Sequence, residues 1–376
     1  MPSRSDAMSF APSSPQSSDL RDTVNPLLAQ FSHPTLRQTL VDLQALQHAV
    51  RLDHTLHIEL QLPFAWPQGF KALQAWATPL LQEATGASEV DWHLDYSIAT
   101  LQRVKQLPGA KGVKNIIAVS SGKGGVGKSS TALNVALALA DHGIRVGVLD
   151  ADIYGPSLPQ MLGTADQRPS SPDGKHMAPI MSYGLATNSI GYLVTDDNAM
   201  IWRGPMASKA LLQLLNETLW PDLDYLVVDM PPGTGDIQLT LAQNIPVTGA
   251  VVVTTPQDVA LLDARKGVVM FNKVDVPVLG IVENMSVHIC QACGHHEAIF
   301  GHEGAKALSD DYNVPVLGKV PLHIQLREDL DAGIPTVARD PAGTFSELYR
   351  EIAENIATQL YWQGHVIPED ISIRIL

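Results

Sequence analysis

The sequence predicts an α/β fold with a doubly wound, mainly parallel sheet, preceded by a small α+β domain. From residue 115 onward, short and continuously apolar runs alternate with helical patterns, as in a parallel sheet covered on both faces. A glycine-rich loop lies between the first of these runs and a helix. Before residue 97, two runs instead alternate between apolar and polar residues, which is typical of half-buried strands.

Length and charge limit the functions to consider. A chain of 376 residues favours two domains, and 45% hydrophobic residues are enough to form a sizeable core. The chain has 25 Lys and Arg against 39 Asp and Glu, a formal net charge of −14. Such an acidic surface disfavours loose binding to nucleic acid or anionic lipid, so we expect neither a nucleic-acid nor a membrane partner.

Location follows from what the sequence lacks. No apolar run approaches the roughly 20 residues that span a bilayer, and the N-terminus does not resemble a secretory signal. The chain has only 2 cysteines, too few for a disulfide-stapled secreted fold. We therefore expect a cytoplasmic protein.

Composition divides the chain into four parts. Residues 1–21 are rich in Ser and Pro and are predicted to be a disordered tail. Residues 22–96 form the small domain, with strands at Leu56–Leu62 and Val90–Tyr96 around a helical pattern in which Pro79 is a flaw. Residues 97–114 are a linker, and residues 115–376 form the large domain. The histidines of the small domain show no metal-like clustering; they are His48, His54, His57 and His93.

A phosphate-binding loop opens the large domain. Its residues fit G-x-x-x-x-G-K-[ST] and are Gly122, Lys123, Gly124, Gly125, Val126, Gly127, Lys128 and Ser129. The strand Asn115–Val119 precedes the loop, and a helix that stops near Gly143 follows it. The glycines let backbone N–H groups close on phosphate oxygens at the helix N-terminus. Lys128 should reach the β- and γ-phosphates, and Ser129 should bind Mg²⁺.

Lys123 is a second lysine that a simple phosphate loop does not require. Its ammonium could supply charge at the γ-phosphate, within its own subunit or from a neighbouring one. The alternative is a solvated lysine on a loop.

Two aspartates end the next predicted strand. Asp150 and Asp152 are two residues apart, so their side chains point the same way at the carboxyl end of the strand, where they can face the nucleotide. Either could instead cap the next element.

Asp229 ends another apolar strand, Leu226–Val228, as the Mg²⁺-side aspartate of a phosphate-loop enzyme should. The stiff loop Pro231–Asp236 follows and is suited to sensing the γ-phosphate.

The base of the nucleotide is predicted to be adenine. Asn272 to Asp275 reads N-K-x-D, but it ends a predicted helix, whereas a guanine-reading motif follows a buried strand. Asn284 does directly follow the strand Val278–Val282, and it is the better candidate.

Both cysteines of the chain lie in one C-x-x-C unit, Cys290 and Cys293, near His288, His295 and His296. A redox dithiol would need a thioredoxin-like unit, which the flanking sequence does not show. Zinc could take two thiolates and two histidines within one chain. An iron–sulfur cluster needs about four thiolates, so it would require a symmetric dimer. An inert pair of loop thiols is the simplest alternative.

These motifs together resemble one family, the Mrp/ApbC iron–sulfur cluster carriers. The segments that carry the resemblance are Ser120–Ser129, Leu149–Ser157, Asp229–Asp236, Glu283–Ser286 and Cys290–Cys293. They occur in the order of that family, whose members are ATPases with a deviant phosphate loop, related to MinD, ParA and the nitrogenase iron protein. The resemblance extends over about residues 115–364, and the small domain resembles the MIP18-type (DUF59) domain.

The resemblance implies a homodimer that takes a [4Fe-4S] cluster from a donor scaffold and passes it to apo-proteins. Cys290 and Cys293 would ligate the cluster, and Gly122–Ser130 with Asn284 would bind ATP. Catalysis is implied for five residues: Lys128 at the phosphates, Lys123 across the dimer, Asp152 on the attacking water, and Asp150 and Asp229 near Mg²⁺, which Ser129 would also bind.

The sequence departs from the family at two positions. Many relatives have proline after the first cysteine, where this chain has Gln291. Some relatives carry a cysteine in the loop of the small domain, whereas Pro63–Pro67 has none, so partner docking is the expected role of that domain.

Two other functions are compatible with a phosphate loop of this kind. A MinD- or ParA-like spatial organiser would need a basic amphipathic helix or net positive charge, and the C-terminal segment has Pro368 and two acids instead. A zinc-binding ATPase could serve as a metal chaperone, which metal analysis would distinguish.

Overall fold

The computed structural model describes residues 18–103, 107–193 and 204–368. The chain divides into two compact units. One contains the described residues up to Leu62 together with Gly69–Asp95, and the other contains Pro63–Gln68 and the chain from Tyr96 onward. Residues 1–17 of the predicted disordered tail lie outside the described residues.

The smaller unit is built on a four-stranded sheet in the order β1–β2–β3–β4. Its elements are β1 (Ser18–Asp19), α1 (Arg21–Leu28), β2 (Leu46–Leu52), β3 (Thr55–Leu62), α2 (Pro67–Thr85) and β4 (Glu89–Tyr96). Burial alternates along β3, where Leu56, Ile58, Leu60 and Leu62 are buried, so the period of two is confirmed. The helix α2 continues through Pro79.

Two features of this unit differ from the sequence-based expectation. The tail was predicted to extend to residue 21, but Ser18 and Asp19 already pair with Arg51 and Val50 of β2. This pairing uses backbone groups only, which an apolar pattern does not reveal. The strand β2 was not predicted, because among its residues only Ala49 is fully buried.

The larger unit contains the remaining elements. They are β5 (Val113–Ser120), α3 (Lys128–Ala140), β6 (Val146–Asp150), α4 (Leu158–Met161), β7 (Ile180–Ser182), β8 (Leu185–Ser189), α5 (Gly204–Glu217), β9 (Leu223–Asp229), α6 (Asp236–Asn244), β10 (Gly249–Thr254), α7 (Asp258–Lys273), β11 (Val278–Ile289), β12 (His296–Glu297), α8 (Gly304–Tyr312), β13 (Val316–Leu322), α9 (Ile324–Asp331), α10 (Thr336–Arg339) and α11 (Thr344–Gln363).

These strands form one sheet in the order β12–β11–β10–β5–β9–β6–β8–β7, with β13 also paired to β11. All of its pairings are parallel except β7 with β8 and β12 with β11. The predicted mainly parallel sheet is therefore confirmed. Among the described residues, no helix has the length and hydropathy that crossing a bilayer requires.

Helices cover both faces of this sheet, which makes it doubly wound. Along β5, Ile117 and Val119 pack in the hydrophobic cluster that contains α3 and α11. Ile116 and Ala118 pack in the cluster on the other side, with α5 and α7. Burial on both faces explains why the central strands read as continuous apolar runs.

The predicted linker and the loop without cysteine both belong to the packed larger unit. Ile98 and Leu101 are buried in its core, and the backbone N–H of Leu101 donates to Asn115 Oδ1 at 3.0 Å. Phe64 and Trp66 are also fully buried, and the Phe64 ring lies 4.9 Å from the ring of Tyr361. These aromatic residues contribute to the core and are not exposed for docking.

Replacing a leucine of the central strand should destabilise the larger unit. Leu226 of β9 is 0% exposed, so we expect Leu226→Ala to lower the free energy of unfolding by about 2–5 kcal/mol. Leu219→Ala is the matched control, since Leu219 is 41% exposed and its truncation should cost well under half as much. Urea denaturation measures both, and equal losses would contradict the assigned burial.

Candidate functional site

The glycine-rich loop connects the end of β5 at Ser120 to the start of α3 at Lys128. Gly125 and Gly127 have φ values of +81° and +80°, which L side chains rarely adopt. At Gly127 a Cβ atom would also lie 2.1 Å from Asn284 Nδ2, so glycine is required there. The free N–H groups at the start of α3 face this loop, which is the arrangement that binds phosphate.

Lys128 forms a buried ion pair at the base of the loop. Its Nζ donates to Asp229 Oδ1 and lies 3.2 Å from Ser129 Oγ. The side chains of Lys128 and Asp229 are only 6% and 5% exposed. Burial raises the pKa of Asp229, and the lysine opposes that rise. Three residues predicted to act together at the phosphates are therefore adjacent.

Asp150 lies beside this pair, opposite Asp229 in the register of β6 and β9. Its carboxylate is fully buried and accepts hydrogen bonds from Ser157 N at 3.1 Å, Leu158 N at 3.2 Å and Ser189 Oγ at 3.0 Å. Asp152 N donates to the same carboxylate at 3.0 Å. Burial, followed by the charge of Asp229, raises the pKa of Asp150 to about 7. These contacts match the alternative prediction, in which Asp150 caps the element that follows β6. A role of Asp150 at Mg²⁺ stays a prediction.

Asp152 and Lys123 are more accessible. Asp152 is half-buried and accepts a hydrogen bond from Gly155 N at 3.3 Å. Lys123 is exposed, and Ser121 Oγ donates to its carbonyl at 2.9 Å. Neither side chain is fully buried, and their roles at the nucleotide and across a dimer stay predictions.

The loop after β9 is hydrogen-bonded to the phosphate loop. Met230 N donates to Val119 O at 2.9 Å, and Gly233 N donates to Ser121 O at 3.0 Å. Sequence reasoning did not identify Gln238 of α6, whose buried Nε2 donates to Ser120 Oγ. A lone glutamine on a helix carries no motif signal, so only the structure could reveal it.

Asn284 faces the phosphate loop from β11. Its Nδ2 donates to Val126 O at 2.8 Å. It lines a cavity of about 340 Å³ that also includes the predicted residues Gly127 and Ser130. The other walls were not predicted; they include Pro321, Leu322, Leu326 and Tyr349. A mostly apolar cavity with an amide at its edge can hold a nucleotide base.

The two cysteines lie on the hairpin between β11 and β12. Cys290 N donates to His295 O at 2.9 Å, and Gly294 N donates to Cys290 O at 2.8 Å. Cys290 is half-exposed and Cys293 is exposed. Hydrogen bonds from the backbones of Ala292 and Cys293 lower the pKa of Cys290.

The cysteine hairpin does not form a complete metal site in one chain. Within residues 18–103, 107–193 and 204–368, no three Cys, His, Asp or Glu side chains gather as metal ligands. Among these residues, the neighbouring histidines do not lie with the two thiols as a preformed ligand set, and zinc or a cluster stays a prediction. In the smaller unit, His48, His57 and His93 each lie near an acid instead, as His57 does to Asp91 at 2.9 Å.

The regions in which this chain matches known proteins contain the residues of this site. A protein of Escherichia coli (strain K12), named iron-sulfur cluster carrier protein, is 68% identical over 94% of this chain and 96% of its own. The iron-sulfur cluster transfer protein NUBPL of Mus musculus is 50% identical over 68% of this chain and 80% of its own. A solved nucleotide-binding protein from Archaeoglobus fulgidus, in complex with ADP, is 34% identical with a TM-score of 0.53 over 59% of this chain and 87% of its own.

The ParA family model, described as NUBPL iron-transfer P-loop NTPase, matches residues 112–357. That range contains the phosphate loop, the strands that end in Asp150 and Asp229, and the cysteine hairpin. The chain therefore belongs to the NUBPL iron-transfer P-loop NTPase family.

Proposed function

We propose that the protein is an ATP-hydrolysing carrier that holds a [4Fe-4S] cluster between two copies of the chain and passes it to apo-proteins. The observation that carries the proposal is the pair of accessible thiols on one hairpin. A cluster needs about four thiolates, and one chain has 2 cysteines, so two chains related by a two-fold axis complete the site. The names of the closely similar proteins support the same cargo.

ATP is the proposed substrate of the phosphate loop. Its base would occupy the cavity beside Asn284, and its phosphates would meet the N–H groups ahead of α3. Lys128 would then exchange its carboxylate partner, Asp229, for phosphate oxygens. The buried aspartate thus takes the place of a phosphate until the substrate binds.

The residues at this position fit Mg²⁺, which prefers oxygen ligands. The hydroxyl of Ser129 and the carboxylate of Asp229 are hydrogen-bonded neighbours and would hold the ion. When bound, Mg²⁺ supplies positive charge to the phosphates. Asp150 would support this site by fixing the loop that follows β6.

Hydrolysis needs a positioned water and charge at the γ-phosphate. We assign Asp152 to orient the water, because it is the accessible member of the aspartate pair. We assign Lys123 to the γ-phosphate of the neighbouring chain, since its side chain is exposed.

The partners follow from the cargo. A donor scaffold must load the cluster and apo-proteins must accept it, and an exposed hairpin allows both exchanges. The thiols must stay reduced, so we propose a cytoplasmic location. For the smaller unit we propose docking of such partners.

Anaerobic reconstitution with iron and sulfide tests the cargo directly. We expect about four iron and four sulfide per two chains, with a native mass of two chains, because each chain provides half of the ligands. Elemental analysis and native mass spectrometry measure both quantities. About one zinc per chain without sulfide would instead support the metal chaperone.

Cysteine variants should separate the two halves of the function. Cys290→Ala or Cys293→Ala should abolish cluster retention, because each removes two of the four thiolates from a dimer. Nucleotide affinity should stay within about twofold of that of the cluster-free wild type, as the phosphate loop keeps all its contacts. Loss of ATP binding in these variants would count against the proposed division of sites.

Removing the lysine of the buried ion pair should destabilise the nucleotide-free protein. In Lys128→Ala, the buried Asp229 carboxylate loses its cation, so we expect a loss of about 3–5 kcal/mol at pH 7.5 along with lost ATP binding. Burial raises the pKa of Asp229 above its value in the unfolded chain. As the pH falls towards that unfolded-state pKa, the buried carboxylate takes up a proton, so the variant's loss of unfolding free energy should shrink. Arg265→Ala breaks an exposed pair with Asp311 and should cost under about 1 kcal/mol at either pH.

Lys123 can be tested for action across the dimer. Lys123→Ala should lower kcat for ATP hydrolysis about 100- to 1,000-fold, because charge at the γ-phosphate is lost. Mixed dimers of Lys123→Ala and Asp152→Asn chains should regain turnover, since one of their two sites keeps both residues if Lys123 acts in trans. Mixed dimers as inactive as either parent would place Lys123 in its own site.

A further inference from the structure

The strand β11 contacts both proposed sites. Asn284, in its middle, donates a hydrogen bond to Val126 of the phosphate loop. Cys290 follows directly after the last residue of the same strand. Six residues of extended chain cover at most about 20 Å, so the two sites are joined by one short and continuous segment.

The contact at the phosphate loop is tight. Asn284 Nδ2 occupies the space where a side chain of Gly127 would begin, and it is 2.8 Å from Val126 O. Asn284 is 8% exposed, and its neighbour Glu283 is held by a hydrogen bond from Ala305 N at 2.7 Å. A movement of Val126 or Gly127 on phosphate binding would therefore act directly on the amide, which is hydrogen-bonded to Val126 O and lies against Gly127.

The strand changes conformation at the next residue. Met285 has φ of +56°, in the left-handed region that residues with a side chain rarely adopt. The register with β13 shifts between Asn284 and His288, so the intervening residues are outside the regular ladder. Beyond them, His288 and Ile289 pair with β12 and carry the cysteine hairpin. Met285 and the irregular register after it thus lie between the part of β11 that contacts the phosphate loop and the part that holds the thiols.

We propose that Asn284 and Met285 couple the phosphate loop to the cysteine pair, with Asn284 as the contact and the left-handed Met285 as the pivot. Nucleotide binding would shift Asn284 and change the angle at which the hairpin presents Cys290 and Cys293. Both are positioning residues in this role. The inference rests on the proposed function, since it assumes that nucleotide binds at the loop and that the thiols hold the cargo.

The chain has only 2 cysteines, so thiol labelling of the full-length protein reports on this pair alone. The experiment measures the alkylation rate of the reduced, cluster-free protein by iodoacetamide, without nucleotide and with saturating MgADP or a non-hydrolysable ATP analogue. In the wild type we expect the rate to change at least about fivefold on nucleotide binding, the lower range of allosteric coupling. In Met285→Gly, where the pivot loses its conformational constraint, the change should fall below about twofold.

Asp275→Gly is the matched control. Asp275 is also left-handed, with φ of +61°, but it precedes β11 and is exposed. It should keep the full nucleotide response. Nucleotide affinity is measured by calorimetry on all three proteins, and circular dichroism confirms that they are folded.

The outcomes distinguish the inference from the function on which it rests. A wild type that binds nucleotide without a change in labelling rate would overturn the coupling and leave the carrier function standing. A full response in Met285→Gly would also overturn it. A wild type that binds no nucleotide would overturn the proposed ATPase, and the coupling with it.

Discussion

The buried ion pair between Lys128 and Asp229 is the interaction on which the rest of the site depends. It joins the first residue of α3 to the last residue of β9, and both side chains are almost completely removed from water. A buried pair of charges offers little net stability, because desolvation offsets the attraction. The pair holds a lysine at the base of the glycine-rich loop, where the proposed exchange of its carboxylate partner for phosphate would take place.

The sheet places this pair among its other polar groups. Parallel strands bring their carboxyl ends to one edge, so the ends of β5, β6 and β9 meet there. Because both faces of the sheet are covered by apolar packing, charged side chains are accommodated at the carboxyl ends of its strands. Asp150 shows the consequence, because its carboxylate accepts hydrogen bonds from backbone N–H groups of the following loop and fixes that loop beside Asp229.

Sequence patterns predicted the features that depend on local chemistry. The apolar runs of β5, β6, β9, β10 and the first half of β11 were recognisable because both faces of these strands are buried. The phosphate loop and the C-x-x-C unit were recognisable because their chemistry dictates spacing. The pattern failed where a segment is short or paired mainly through its backbone, as in β2 and β12. It also failed where tertiary packing decides, as for Phe64, Trp66 and Gln238, whose burial depends on residues far along the chain.

The exposure of the two thiols and their small number per chain both bear on how firmly a metal cluster is retained. A resident metal is usually enclosed by ligands from one chain, whereas here the described part of a single chain brings together only the two thiols of the hairpin. A cluster shared by two such hairpins loses half of its ligands whenever the chains separate or reorient. Its retention would then depend on the same subunit arrangement that, in the proposed function, would place Lys123 at a neighbouring phosphate. Because one arrangement would serve both sites, a nucleotide that stabilises it must also alter how firmly the cargo is held, which is the reciprocity that linked equilibria require.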